Sequence, residues 1–392
     1  MMKEFNVGGV ALGLLASAYF YSYAVMQVPT GLLADTVGPR KTVTFFMGLA
    51  SIGAFMFALA PNFWATVLGR LLIGLGVAVV WVCTIRILAV WFTLREFATM
   101  NGVLNFVGNV GALGAATPLA FLTITFGWRI PFFFIACFTG FLTLVVWALV
   151  RDDPKQVGLT LPFNHIEESS SDPTKIGLIQ GLKLTFSNKY FWLVGFSLAV
   201  WYGTLVNFQG LWGIPYLIQA YGYDKAQASY FITLIALGFC VSAPFWGYIS
   251  DKVLGARKPV FVGGILTYTF LWLILLATTK VFSSLLLYLI FFMFGFSSGA
   301  IIICITMVKE LFPEQVVGTA VGCTNLFPFV GVGIFQPLTG YILDLAGPIK
   351  IIEGVKFYPT YAYHTAFMFC FLSLIIVSIL AFFTKETLKT KD

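Results

Sequence analysis

A chain of 392 residues that is 59% hydrophobic and only 10% charged, with a mean hydropathy of +0.93, is not an ordinary soluble domain; this composition belongs to a polytopic membrane protein. A net charge of +7 would suggest nucleic acid in a soluble protein. In a membrane protein it reports topology instead, because basic residues collect in cytoplasmic loops.

Runs of about 20 apolar residues, enough to cross ~30 Å of hydrocarbon at 1.5 Å per residue, predict spans at roughly 11–34, 42–60, 64–88, 98–123, 131–150, 190–219, 226–249, 259–279, 283–308, 316–342 and 363–384. The fold class is therefore all-α, since none of these runs shows the alternating pattern of a transmembrane barrel strand. The first run is too long for a cleavable signal peptide and lacks a small-residue cleavage pattern. The six cysteines lie singly in apolar segments, so they are small core residues rather than disulfides or metal ligands, and no metal or cofactor is expected.

The longest polar stretch, Arg151 to Asn188, divides the chain into an N-terminal bundle (1–150), a cytoplasmic linker (151–189) and a C-terminal bundle (190–392). Within the linker Ile176, Ile179, Leu182 and Leu184 recur at helical spacing, which predicts a short helix on the membrane surface.

The two sides repeat each other. Gly31-Leu-Leu-Ala-Asp35 matches Gly247-Tyr-Ile-Ser-Asp251, and each continues to a glycine and a basic pair, Gly38/Arg40/Lys41 and Gly255/Arg257/Lys258. Gly74 pairs with Gly295, and Thr99, Gly102 and Asn105 pair with Thr319, Gly322 and Asn325. Parallel halves of this kind are a transporter architecture. In the second half the span carrying Asp251 is preceded by another, at 190–219; in the first half the span carrying Asp35 is preceded by about ten residues. The expectation is five spans plus six, with the first helix of the first half lacking a counterpart.

The duplicated Gly-x-x-x-Asp-x-x-Gly-x-Arg-Lys loop, together with Arg70-Leu-Leu-Ile-Gly74-Leu-Gly76, resembles the signature motifs of the major facilitator superfamily. The resemblance covers the whole chain and implies two pseudo-symmetric six-helix bundles that move a small molecule by alternating access. It also implies that the motif aspartates help to latch the outward-facing state. Gly31, Asp35, Gly38, Arg40, Arg86, Gly247, Asp251 and Arg257 are accordingly expected to gate. Glycine lets helices approach closely and turn sharply, and a carboxylate there can accept hydrogen bonds from amides at a helix N-terminus. With both motif loops cytoplasmic, sixteen of the 23 basic residues fall inside, six outside, and Arg70 within the membrane.

Trp81-Val-Cys-Thr-Ile-Arg86 through Trp91 to Arg95-Glu96, and Arg151-Asp-Asp-Pro154, resemble the glycerol-phosphate and hexose-phosphate antiporters. That branch places an arginine in the first helix of each half to hold phosphate. Here the stretch Val206 to Trp212 carries no basic residue, which argues against a phosphate ester, because a dianion wants more than one fixed cation.

Candidate binding residues come from the spans themselves. Arg70 lies about 9 Å inside its helix, where an ionised side chain must face protein or water; it either partners an anion or is structural. Tyr19, Tyr23 and Gln27 share one helix face, as do Asn101, Asn105 and Asn109, while Gly108, Gly111 and Gly114 occupy a second face suited to close packing. Trp201, Tyr202, Asn207, Gln209 and Trp212 lie on a helix that lines the cavity in the family, and Asn325 is the counterpart of Asn105. All sixteen acidic residues lie in loops or at span ends, and no hydrolase triad or nucleotide loop is present, so an enzyme is not expected. The expected protein is a monomeric, multi-pass carrier in a bacterial cytoplasmic membrane that takes a small organic anion or zwitterion and contacts lipid but no nucleic acid. The alternatives are a transport-inactive substrate sensor, a truncated remnant, or an efflux pump for drug-like compounds.

Overall fold

The computed structural model describes residues 2–5, 7–92, 94–158, 178–277, 284–352 and 355–388. It is helical almost throughout: α1 (Met2–Phe5), α2 (Gly9–Thr36), α3 (Pro39–Ala58), α4 (Phe63–Val77), α5 (Val80–Trp91), α6 (Leu94–Phe126) and α7 (Arg129–Leu149) come first. Then follow α8 (Leu178–Ser187), α9 (Lys189–Asn207), α10 (Gly213–Tyr216), α11 (Lys225–Tyr248), α12 (Lys258–Ala277), α13 (Ser284–Ser298), α14 (Ile302–Leu311), α15 (Glu314–Thr324), α16 (Leu326–Ala346) and α17 (Thr360–Phe382). Among the described residues, ten helical stretches are long and apolar enough to span a membrane, and α6 lies over the expected span 98–123. The surface helix expected in the linker is α8; Ile176 lies outside the described residues.

The helix ends follow local chemistry. Asn62 accepts from the Ala65 amide at 2.9 Å and starts α4; Asn188 does the same for Tyr190 and starts α9. Asp224 and Gln227 form a reciprocal capping box at the start of α11. The span between α8 and α11 is irregular: after α9 the chain widens into π-helical turns at Phe208–Trp212 and Leu217–Tyr221, then stops at Gly222 with φ 82°. An antiparallel hairpin, β1 (Lys350–Ile352) with β2 (Val355–Phe357), joins α16 to α17 and was not legible in the sequence.

By packing, the chain divides into two units, residues 18–177 and residues 1–17 with 178–392. In the second unit α9 packs along α16 and α17, α11 along α13, and an aromatic core centred on Phe208, Trp212, Tyr268, Trp272 and Phe367 fills the space between them. The start of α2 belongs to this unit because Asp344, near the end of α16, accepts from the Gly9 and Val10 amides at 3.0 and 2.8 Å. A carboxylate at a helix N-terminus satisfies amides that the helix leaves unpaired. In the other unit α3 packs against α4 and α7, around a smaller core of Met26, Val43, Val79 and Cys83.

The repeat seen in the sequence is a repeat of contacts. A Cβ added at Gly74 would strike the Tyr19 carbonyl, and one added at Gly295 would strike the Ile235 carbonyl. Tyr19 and Ile235 are themselves separated by the 216 residues that separate Asp35 from Asp251. The same helix pair therefore crosses at the same glycine in each unit, α2 with α4 and α11 with α13.

Candidate functional site

In the unit 18–177, α2 presents Tyr19 and Tyr23 as a pair of rings 5.7 Å apart and inclined by 33°, with Gln27 one turn further donating to the Tyr23 carbonyl at 3.4 Å. The glycine crossing brings α4 against this helix, so Arg70, one turn before Gly74, shares the neighbourhood of Tyr19. Its Nε is buried without a hydrogen-bond partner among the described residues, and its Cζ lies 5.4 Å from the Phe57 ring centroid. A cation–π contact offsets part of the cost of that position, but an unused buried donor costs about 1–3 kcal/mol and calls for an explanation. Arg86 is exposed on α5. The side chains of Asn105 and Asn109 lie outside the described residues, as does that of Asp35.

In the other unit, Trp201 and Asn207 are fully buried in the helical core. The Trp201 ring lies 6.0 Å from Tyr268 and 6.3 Å from Phe261, with Gly264 against its edge. Asn207 Nδ2 donates to Thr339 Oγ1 at 3.0 Å, tying α9 to α16. Both side chains pack inside their own unit, and Trp201 Nε1 and Asn207 Oδ1 are buried without a hydrogen-bond partner among the described residues. Trp212 is also buried, its Nε1 donating to the Gln336 carbonyl at 3.3 Å. Gln209 and Tyr202 are half-buried, and Asn325 sits, half-buried, at the junction of α15 and α16.

Sequence reasoning missed Gln336. It is buried in the middle of α16, and its Oε1 accepts from Ser17 Oγ at 3.3 Å. A lone glutamine in an apolar span was a visible signal. The π-helical turn that carries Gln209 and Trp212 gave no signal, though such turns recur at functional sites.

The two motif loops are built alike. Each turns through a glycine with positive φ, Gly38 at 93° and Gly255 at 55°, and each helix that follows is capped by a carboxylate placed after the last helix of its own unit. Asp152 accepts from the Arg40 amide at 2.6 Å. Glu386 accepts from the Arg257 and Lys258 amides at 2.9 and 3.0 Å. Both capping carboxylates, Asp152 and Glu386, are residues that sequence reasoning did not select. Asp251 instead accepts from Arg257 Nη1, and Arg257 also donates to Ser250 Oγ at 2.9 Å and to Glu310 Oε1 at 3.0 Å. Arg40 differs: its guanidinium donates to the Trp147 carbonyl and stacks 4.4 Å from the Trp147 ring. A Cβ at Gly31 or Gly247 would meet nothing within 4 Å among the described residues.

Burial alone would raise the pKa of Glu386, but the amides of Arg257, Leu388, Lys258 and Thr387 outweigh it and hold the carboxyl below its usual range. A carboxyl with a lowered folded pKa contributes stability above its unfolded value of ~4.3, and that contribution is lost as pH falls through the folded value. Glu386→Gln is therefore expected to lower the melting temperature at pH 7, with the difference from wild type shrinking below about pH 4. Thermal melts across that range check it, and a pH-independent difference would show that shape, not charge, makes the cap.

Comparison with known proteins places this geometry in a family. The chain is 23% identical to a probable L-galactonate transporter of Escherichia coli K12 over 366 residues, covering 89% of this chain and 78% of that one. It is 26% identical to the membrane sensor protein UhpC of the same strain over 356 residues, covering 85% and 77%. Among solved structures, a bacterial homologue of the human lysosomal transporter Spinster, inward-facing and unoccupied, superposes with a TM-score of 0.76 at 17% identity, covering 97% of this chain and 90% of that one. The protein is a multi-pass integral membrane protein. Its segments 1–213 and 207–392 each match the same family model, and the chain belongs to the Major Facilitator Superfamily.

Proposed function

We propose that the chain is a secondary transporter that moves a small organic anion by alternating access. The observation that carries the reading is Arg70, a membrane-embedded guanidinium whose buried Nε has no partner among the described residues and whose helix is pressed by Gly74 against the one carrying Tyr19 and Tyr23. A carboxylate offers the two acceptors that a guanidinium fork uses, and aromatic walls with a few oriented polar groups suit a small organic acid. The relative named for L-galactonate, a sugar acid, is consistent with that chemistry. Arg70, Tyr19, Tyr23 and Gln27, with Asn105 and Asn109, remain the proposed binding set in one half; Trp201, Tyr202, Asn207, Gln209, Trp212 and Asn325 remain so in the other.

The test is a panel of sugar acids, aromatic acids, phosphate esters and neutral sugars, scored by thermal stabilisation of the purified protein. A ligand that binds only the folded state at a hundred times its Kd stabilises it by about 2.7 kcal/mol. Stabilisation by neutral sugars alone would overturn the anion reading. The relative named as a sensor favours a second reading, in which the ligand binds but does not cross. Uptake of the stabilising ligand into proteoliposomes separates the two: binding without uptake supports the sensor.

The motif loops are proposed to gate. Asp35→Asn and Asp251→Asn are then expected to lower the maximal transport rate several-fold while leaving ligand affinity within a few-fold. A large loss of affinity at unchanged maximal rate would assign these aspartates to binding instead.

A further inference from the structure

Pro215 sits between the π-helical turns Phe208–Trp212 and Leu217–Tyr221 and has no amide to give the Leu211 carbonyl, so the regular helical ladder is interrupted there. Widened turns of this kind recur at functional sites. Beside them the second unit holds a cavity of about 370 Å³, walled by Trp212, Ile218, Phe357 and Tyr363, with Gln219 and Lys356 among its polar groups. That is the small end of the ~300–1,000 Å³ range of ligand pockets. From this end α11 runs 24 residues, about 36 Å, to the motif loop, so the cavity lies at the end of the unit away from that loop.

The walls are held in place by one side chain. Gln219 Oε1 accepts from the Tyr358 amide at 2.9 Å and from the Tyr363 hydroxyl at 3.0 Å, and its Nε2 donates to the Lys356 carbonyl at 3.4 Å. The π-helical turn is thereby tied both to the end of β2 and to α17. The charges beside the cavity are not closed on themselves. Asp344 already accepts from the Gly9 and Val10 amides and, at 2.6 Å, from the Tyr358 hydroxyl. Lys356 Nζ stands 3.7 Å from Asp344 Oδ1, beyond hydrogen-bond reach, and its side chain is 29% exposed, so the ammonium keeps donors for an incoming anion.

We propose that this cavity binds a small aromatic carboxylate, with the carboxylate on the Lys356 ammonium and the ring among Trp212, Phe357 and Tyr363. The fixed cation supplies a charge-assisted contact, and the aromatic walls orient the ring. A neutral ring would fill the same walls but leave the ammonium facing only Asp344, whose oxygens are committed elsewhere. The site shares Trp212 with the binding set proposed above, but its whole lining comes from this unit, so it stands whether or not Arg70 holds an anion.

The test is equilibrium dialysis of labelled benzoate, ionised at pH 7, against purified, monodisperse protein in detergent. Lys356→Gln is expected to weaken benzoate binding at least tenfold, and Lys356→Arg to hold it within a few-fold. Ile218→Trp, which fills the cavity and leaves the charge in place, is expected to block binding as well. Lys350→Gln removes a lysine of the same hairpin that does not line the cavity, and is expected to bind as wild type does. In Arg70→Ala protein a benzoate-binding component should persist that Lys356→Gln then removes. Loss of all binding in Arg70→Ala, with Lys356→Gln normal, overturns the site and leaves the anion reading of Arg70 standing. Failure of uptake into proteoliposomes does the reverse: it ends the transport reading and leaves this site. An equal loss for Lys350→Gln would reduce the effect to surface charge, and benzyl alcohol competing as well as benzoate would remove the carboxylate. Either result overturns the proposal, as does the absence of benzoate binding at millimolar concentration.

Discussion

Arg70→Ala is expected to weaken ligand binding by about 2–4 kcal/mol, roughly thirty- to several-hundred-fold in Kd, as truncating one partner of a buried charged contact does. Arg70 lies within the span Phe63–Trp91 with a buried Nε that has no partner among the described residues, so a bound carboxylate would gain a charge-assisted donor with little competing water. Arg70→Lys is expected to recover only part of the loss, because a point charge replaces a bidentate fork. An arginine kept only for packing on Phe57 behaves differently. Its removal lowers melting temperature or expression and leaves the affinity of the folded protein intact. Titration of purified, monodisperse variants with the most stabilising organic acid of the panel separates the cases, and near-wild-type affinity for Arg70→Ala would remove the anion from the proposal.

The sequence carried the spans and the repeat because both rest on strong signals. An apolar run of twenty residues has few outcomes other than a transmembrane helix, and a glycine at a backbone crossing tolerates no replacement. Hence Gly74 and Gly295 were paired from the chain and found at matching carbonyls. What the sequence could not show was which face of a span is buried. Trp201 and Asn207 have the composition of cavity-lining residues, yet both are buried against helices of their own unit, and the π-helical turn after Asn207 shifts the faces of Gln209 and Trp212. Nor could it show partners far apart in the chain. Asp152 lies 112 residues from Arg40, and Glu386 lies 129 from Arg257, and no local pattern marks either as the cap of a helix.

Arg257→Ala is expected to destabilise the unit containing α9 to α17 by about 3 kcal/mol, the cost of removing one partner from a buried charge network. Arg257 is only 8% exposed, and its guanidinium serves three acceptors: Asp251, Ser250 and Glu310. Without it, Glu310 keeps Thr387 Oγ1 at 2.6 Å but faces Asp251 with no intervening cation. The Asp251 side chain is 55% exposed, so water screens its share of the loss, and most of the effect belongs to Glu310. The cap itself survives, because Glu386 bonds the Arg257 backbone amide, not the side chain. Two comparisons follow. Arg257→Ala combined with Glu310→Gln is expected to be more stable than Arg257→Ala alone, since the uncompensated carboxylate is gone. Arg40→Ala, whose guanidinium bonds and stacks on Trp147, is expected to cost less than about 1 kcal/mol. Thermal melts of the four proteins with wild type decide the matter. Equal losses for Arg40→Ala and Arg257→Ala would mean that the shared turn, not the charge network of the second copy, sets the stability of these loops.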